Sequence, residues 1–341
     1  MKERIKKLRK LMSENDIEAF LVTGIDNRRY LSGFSGSRGW LLILKKRKAF
    51  LLTDGRYWEQ AEKESPDFDL VKISTGIKDS IFMSLSDLLS RQKFRGTLGF
   101  EGEHITFASY RKLRKYVRGH KLTETSGIVE KLRAVKDSEE INLVRKSVSL
   151  NDRVFRKILK ELKPGITEKE ISAKIHYYIE SSGGESPSFP SIVAFGPSSA
   201  MPHYTPGTRK LKKNDIILID MGSVFHGYCS DMTRTILFGD VPEKARKIYR
   251  IVEKAQKMAI SAIRPGVKCS EIDRIARKII EDAGYGEYFS HNLGHSIGMA
   301  VHEPPSFSPG DHTILKAGML LTVEPGIYLT GFGGVRIEDL I

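Results

Sequence analysis

Two aspartates in the segment DIILIDMGSVFHGYCSDMTRTI, residues 215–236, are the first candidates for chemistry. An apolar run, a short glycine-containing turn and a second run place Asp220 and Asp231 symmetrically about a turn centred between Phe225 and His226. In a regular hairpin with that centre they are cross-strand partners with Cβ atoms roughly 5 Å apart. Two carboxylates forced together in an apolar sheet repel, unless one is protonated or a cation lies between them. The alternative is that they cap strand ends or pair with Arg234. The segment HNLGHSIGMAVHEPP adds His291, His295 and His302, three of the chain's nine histidines. It is not the helical His-Glu-x-x-His zinc pattern, because Asn292 stands at the glutamate position. VEPGIY places Glu324 at the end of an apolar run, and GGVRIEDLI places Glu338 inside another. A glutamate in such a strand faces water or has a cationic partner. Two Asp, two Glu and one His form an oxygen- and nitrogen-rich set. That set suits divalent Mn2+, Co2+ or Zn2+ better than a thiolate zinc site would.

The remainder of the chain must position these groups. At 341 residues it suits about two domains. Cys229 and Cys269 are the only cysteines, which implies no disulfide framework. No apolar run approaches a membrane span of ~18 residues, and the basic N-terminus has no apolar signal core behind it. The expected location is cytoplasmic, with no membrane partner. The net charge of +14 is spread over both halves, without an aromatic-basic or helix-turn-helix signature, so no nucleic-acid partner is expected.

Residues 1–126 read as an α/β domain. It opens with an amphipathic helix carrying Ile5, Leu8, Leu11 and Met12, followed by strands at Ala19–Thr23, Trp40–Leu44, Ala49–Thr53 and Thr97–Phe100. Helices are expected from Tyr57 and over Ser109–Val117. Asp26–Arg38, rich in Gly, Ser, Asn and Arg, reads as a loop, and residues 45–48 as a basic turn. Residues 127–341 read as an α+β domain. Asp137 with Glu140, and Thr167 with Glu170, form capping boxes that open two helices. Ser270 with Asp273 is expected to cap a third. Strands are expected at Ser191–Ala194, Asp215–Met221, Tyr228–Leu237, Met319–Val323 and Val335–Leu340.

The order Asp220, Asp231, His295, Glu324, Glu338, in the contexts IDMGSVFHGYCSDMTRT, LGHSIG, VEPGIY and VRIED, resembles the pita-bread metallopeptidases. That family includes aminopeptidase P, prolidase, methionine aminopeptidase and creatinase. The likeness extends to SFPSIVAFGPSSAMPHY around His203 and to KLRAVKDSEEI, and so covers residues 127–341. NRRYLSGFSGSRGWLLI and LLTDGRYWEQA resemble the creatinase-like N-terminal domain of aminopeptidase P and its relatives.

The resemblance implies two divalent metal ions, Mn2+ first, held by Asp220, Asp231, His295, Glu324 and Glu338, with Asp231 and Glu338 shared between them. It implies Glu324 as proton shuttle and His203 and His302 as catalytic, substrate-contacting histidines, with His291 and Arg336 shaping the substrate pocket. The implied reaction is hydrolysis of the bond before proline in an Xaa-Pro aminopeptidase. The dipeptide-specific prolidase is the alternative, and a non-catalytic binding module on the same fold ranks third. It also implies a homodimer, and a further short stretch beyond Ile341. Thr233 reads as a strand residue as readily as a ligand neighbour, and Tyr228 and Tyr328 read as packing residues before catalytic ones.

Overall fold

The computed structural model describes residues 1–46 and 48–341. Its contacts divide the chain into two compact units, Met1–Arg133 and Ala134–Ile341.

The first unit contains α1 (Lys2–Glu14), β1 (Ala19–Val22), α2 (Ile25–Ser32), β2 (Trp40–Leu44), β3 (Ala49–Asp54) and α3 (Trp58–Glu64). It continues with β4 (Asp69–Ile73), α4 (Ser80–Arg91), β5 (Thr97–Glu101), α5 (Phe107–Tyr116), β6 (Lys121–Thr125) and α6 (Ile128–Arg133). Its sheet has the order β4-β3-β2-β1-β5-β6. The β1–β2 and β2–β3 pairs are antiparallel; the β3–β4, β1–β5 and β5–β6 pairs are parallel. β1, β2 and β3 are apolar runs buried almost throughout, as expected of strands covered on both faces.

Two expectations change in this unit. Residues 25–32, read as loop, are the helix α2. The carboxylate of Glu101, remote in sequence, accepts from the N–H groups of Thr23 (2.6 Å) and Gly24 (2.7 Å) and from Asn27 Nδ2 (2.7 Å), and so fastens the helix start. Buried Arg28 fastens the following loop by donating to the carbonyls of Gly36 and Gly39. Tertiary partners thus override weak local propensity. The boundary also moves from 126/127 to 133/134, because α6 packs in the first unit: Arg133 Nη1 donates to Asn27 Oδ1 (2.7 Å), and Asn27 Nδ2 donates to Glu130 Oε1 (2.5 Å). The basic turn at 45–48 includes Arg47, which lies outside the described residues.

The second unit begins with α7 (Ser138–Glu161) and α8 (Glu168–Ser181), then β7 (Ser186–Pro187), β8 (Ile192–Phe195), β9 (Ile216–Met221), β10 (Ser223–Phe225), β11 (Tyr228–Cys229) and β12 (Met232–Leu237). There follow α9 (Glu243–Ala262), α10 (Cys269–Asp282), β13 (Gly294–Ser296), β14 (Glu303–Phe307), β15 (Thr322–Val323), β16 (Gly326–Leu329), β17 (Gly333–Arg336) and β18 (Asp339–Leu340). Both capping boxes form, at Asp137/Glu140 and Thr167/Glu170. The third does not. α10 starts one residue before Ser270, and Asp273 instead binds Arg277 (2.8 and 2.9 Å) and the N–H of Leu293 (3.1 Å).

Two packed layers build this unit. Apolar faces of α7 and α8 meet Val193, Phe195, Ile217, Ile219 and Met221 of the β8–β9–β12 sheet. Those of α9 and α10 meet Phe307, Val323, Ile327, Leu329 and Val335. Side chains alternate along a strand, so Ile217, Ile219 and Met221 face the helices while Leu218 and Asp220 face the other way, Leu218 against Tyr328.

Candidate metal centre

The hairpin carrying the two aspartates differs from its expected register by two residues. His226 and Gly227 form the tip, with φ of 47° and 78°, and Phe225 pairs with Tyr228. Positive φ at both central residues marks a type I′ turn, which a glycine at the second position adopts without strain. Asp220 is therefore opposite Thr233, not Asp231. A two-residue shift preserves the face, because the strand period is two. Asp231, one residue before β12, still reaches the same place. The longer expected strands are divided there as well. Asp231 lies between β11 and β12, and Glu338 lies between β17 and β18 rather than inside a strand.

Asp231, His295 and Glu338 bring ligand atoms within 4.8 Å of one another. His295 Nε2 is 3.6 Å from Asp231 Oδ2 and 3.4 Å from Glu324 Oε1. His295 Nδ1 donates to the Ser296 carbonyl at 3.1 Å, which leaves Nε2 with a lone pair toward the acids. Asp220 joins through Arg336, whose Nη2 donates to its Oδ2 at 2.6 Å. Glu338 is 1% exposed, and Asp231 7%. Asp220 Oδ1, Asp231 Oδ1 and Glu338 Oε1 are buried without a hydrogen-bond partner among the described residues. Buried carboxylate oxygens are costly unless paired. Three in one place mark a cluster built for cations, so the residues present fit a divalent metal centre.

Hydroxyl groups that the sequence did not assign a role hold the carboxylates in place. Thr233 Oγ1 accepts from Arg336 Nε (3.0 Å) and donates to Glu338 Oε2 (2.8 Å). Thr322 Oγ1 accepts from the His295 N–H (3.1 Å) and donates to Glu324 Oε1 (3.1 Å). Tyr328 accepts from Arg336 Nη1 (2.8 Å) and bonds His291 Nε2 (2.8 Å). Tyr228, by contrast, donates to Glu140 (3.0 Å). Their register opposite or beside a charged residue was the one available signal.

The electrostatics follow from burial. Burial, reinforced by the neighbouring carboxylates, pushes Asp231 and Glu338 well above the usual carboxylate range. Burial pushes Glu324 up to about 7, against the pull of Arg336. Burial brings His295 down to about 4, with His302 adding to the effect, and brings His291 down to about 4, with Arg336 adding. Burial opposes the charge on Arg336, but Tyr328, Asp220 and Glu324 hold it firmly protonated.

A cavity of about 530 Å3 opens onto this cluster. Asp220, Asp231, His295, Glu324, Arg336, His203, His291 and His302 all line it, and Glu338 sits beneath the surface. Phe189, Ile192, Val301 and Tyr204 supply apolar wall. The segment carrying His203 is tied down by buried Glu168, which accepts from Tyr204 (2.7 Å), the Gly207 N–H (3.1 Å) and the Phe195 N–H (2.9 Å). His302 rests edge-on against His295, with ring centroids 4.4 Å apart.

An acid-rich, histidine-bearing cavity of this kind is that of a metal-dependent hydrolase, and comparison with known proteins defines it further. Residues 142–341 match the model of metallopeptidase family M24, and residues 4–135 match the creatinase/prolidase N-terminal domain. The chain belongs to metallopeptidase family M24, with a pita-bread catalytic unit and a creatinase-like N-terminal unit. It is 37% identical to the Xaa-Pro dipeptidase of Pyrococcus furiosus over 341 residues, spanning 100% of this chain and 95% of that protein. The solved Xaa-Pro dipeptidase from Bacillus anthracis is 38% identical, with a TM-score of 0.95 over 99% of this chain and 94% of that one. The X-Pro aminopeptidase from Thermotoga maritima is 33% identical, with a TM-score of 0.89 over 98% and 94%.

Proposed function

We propose that this protein is an Xaa-Pro dipeptidase, with its metals held by Asp220, Asp231, His295, Glu324 and Glu338. The observation that carries the reading is the set of unpartnered, buried oxygens on Asp220, Asp231 and Glu338. The aminopeptidase reading, first from sequence, becomes the alternative, because the Pyrococcus furiosus and Bacillus anthracis relatives are both named dipeptidases. The Thermotoga maritima structure keeps the alternative in view. The oxygen-rich donors favour Mn2+, with Co2+ or Zn2+ as substitutes. Two divalent ions bound there would lower the pKa of water toward neutrality and polarise the scissile carbonyl.

The chain's own groups supply the remaining steps. Arg336 and Thr233 orient Asp220 and Glu338. Glu324 takes the proton of the attacking water and returns it to the departing prolyl nitrogen. His203 and His302 direct N–H groups at the carbonyl oxygen as negative charge develops. His291 and Arg336 shape the substrate's end of the cavity. The apolar wall suits a proline ring, and the tertiary amide before proline needs no N–H acceptor. We place the enzyme in the cytoplasm as a homodimer. Among the described residues no helix is long and apolar enough to cross a membrane.

The test is turnover of Xaa-Pro and Xaa-Pro-Yaa peptides with Mn2+, Co2+ or Zn2+ supplied in turn. Chelator-sensitive cleavage of the dipeptide alone is expected. Preferential cleavage of the tripeptide would restore the aminopeptidase, and no turnover with any metal would remove both.

A further inference from the structure

The loop 297–302 closes the β13–β14 hairpin and brings Val301 and His302 to the cavity wall. His302 is itself exposed, so its direction depends on what holds its neighbours. Glu303, the next residue and the first of β14, is buried in the interior instead. Its Oε1 accepts from the Ala300 N–H at 3.0 Å, and its Oε2 meets Lys136 Nζ at 3.3 Å. Lys136 Nζ also donates to Ser296 Oγ at 3.0 Å, on the residue that follows His295. Both charged side chains are almost fully enclosed, at 1% and 4% exposure. Gly298 passes so close that an added Cβ would lie 2.8 Å from both Glu303 oxygens. The Lys136 N–H donates to the Gly318 carbonyl at 2.8 Å, so the cation is anchored at the backbone too.

An enclosed ion pair gains little stability over a well-packed apolar pair, because desolvation offsets the attraction. Its value here is geometric. We propose that the Lys136–Glu303 pair is a positioning device: by clamping Ser296 on one strand and Glu303 on the other, it aims His302 into the cavity. This rests on the peptidase reading above. Neither residue touches substrate.

The double variant Lys136→Met/Glu303→Leu separates positioning from stability. On the metal-loaded protein it should keep a melting temperature near that of the wild type. Its kcat should fall by about 10²-fold, the scale of a misplaced group, with KM changed less than threefold. Long-range 1H–15N imidazole spectra, with His302 assigned through His302→Gln, should show its signals displaced while those of His203 stay. Wild-type kcat together with unmoved His302 signals would overturn the proposal. Should the double variant not fold, Glu303→Gln takes its place and is read in the same spectra. If the wild type cleaves neither peptide, the peptidase reading fails, and the His302 signals still decide the positioning role.

Discussion

Each unit gathers acids into one buried cluster, and the two clusters treat that charge in opposite ways. In the N-terminal unit, Glu101 is 5% exposed and has both oxygens engaged, by Thr23 N–H, Gly24 N–H and Asn27. With His104 and Glu130 it even forms a donor cluster of metal-binding dimensions. Asn27 and His104 occupy Glu130 Oε1 at 2.5 and 3.0 Å, so that cluster is knitted by hydrogen bonds. In the C-terminal unit, the acids Asp220, Asp231 and Glu338 at the cavity each keep one buried oxygen without a partner among the described residues. Proximity of donor residues therefore does not distinguish a brace from a metal centre. Unsatisfied oxygens do.

The sharpest way to break this contrast is to remove one acid from each cluster. Asp231→Asn should abolish peptide cleavage, by at least ~10³-fold, and bound metal should be lost when measured by elemental analysis. Retained metal and activity would erase the distinction. Glu101→Ala leaves enclosed N–H donors unsatisfied and should cost about 3 kcal/mol of stability in denaturant titration, with metal content unchanged.

A pH series sharpens the same point. Glu324 is raised by burial from 4.5 to about 7, and Asp231 and Glu338 are raised as well. A group whose folded pKa is raised stabilises most below its unfolded pKa, and that contribution is lost as pH climbs through the folded value. His291 and His295, depressed from 6.5 to about 4, act in the opposite sense between those values, so metal-free protein should melt progressively lower chiefly as pH climbs from 6.5 through 7 and above. Loaded protein should lack this fall. Burial also raises Glu101, but that contribution is the same in both forms, so their difference isolates the acids at the cavity. Equal slopes with and without chelator would count against the cluster. The smallest effect is expected for His104→Gln, which replaces one part-exposed hydrogen bond: under about 1 kcal/mol, and no change in metal stoichiometry.

Sequence put Asp220, Asp231, His295, Glu324 and Glu338 forward as ligands because metal chemistry restricts residue type and each stands in a distinctive local context; the fold gathers the five in and beneath one cavity. Thr322 and Lys136 were not named, and Thr233 was left open between ligand neighbour and strand residue, because a hydroxyl or a lysine acquires a role only from what lies across the fold. α2 was missed for the same reason: the carboxylate that fastens the chain at its start, Glu101, belongs to β5. Ser270 and Asp273 satisfied the cap pattern, but Arg277 and the Leu293 N–H claimed Asp273. The capping boxes at Asp137 and Thr167 were readable because donor and acceptor lie three residues apart.

The tight tip at His226–Gly227 acts as a length gauge for the whole centre. Residue identity there is loosely constrained, provided both positions tolerate a left-handed backbone. Chain length is not. Adding or deleting a single residue at the tip would turn Asp231 toward the helices and leave Asp220 where it is. Point substitutions at that tip should thus be far better tolerated than insertions or deletions of one residue.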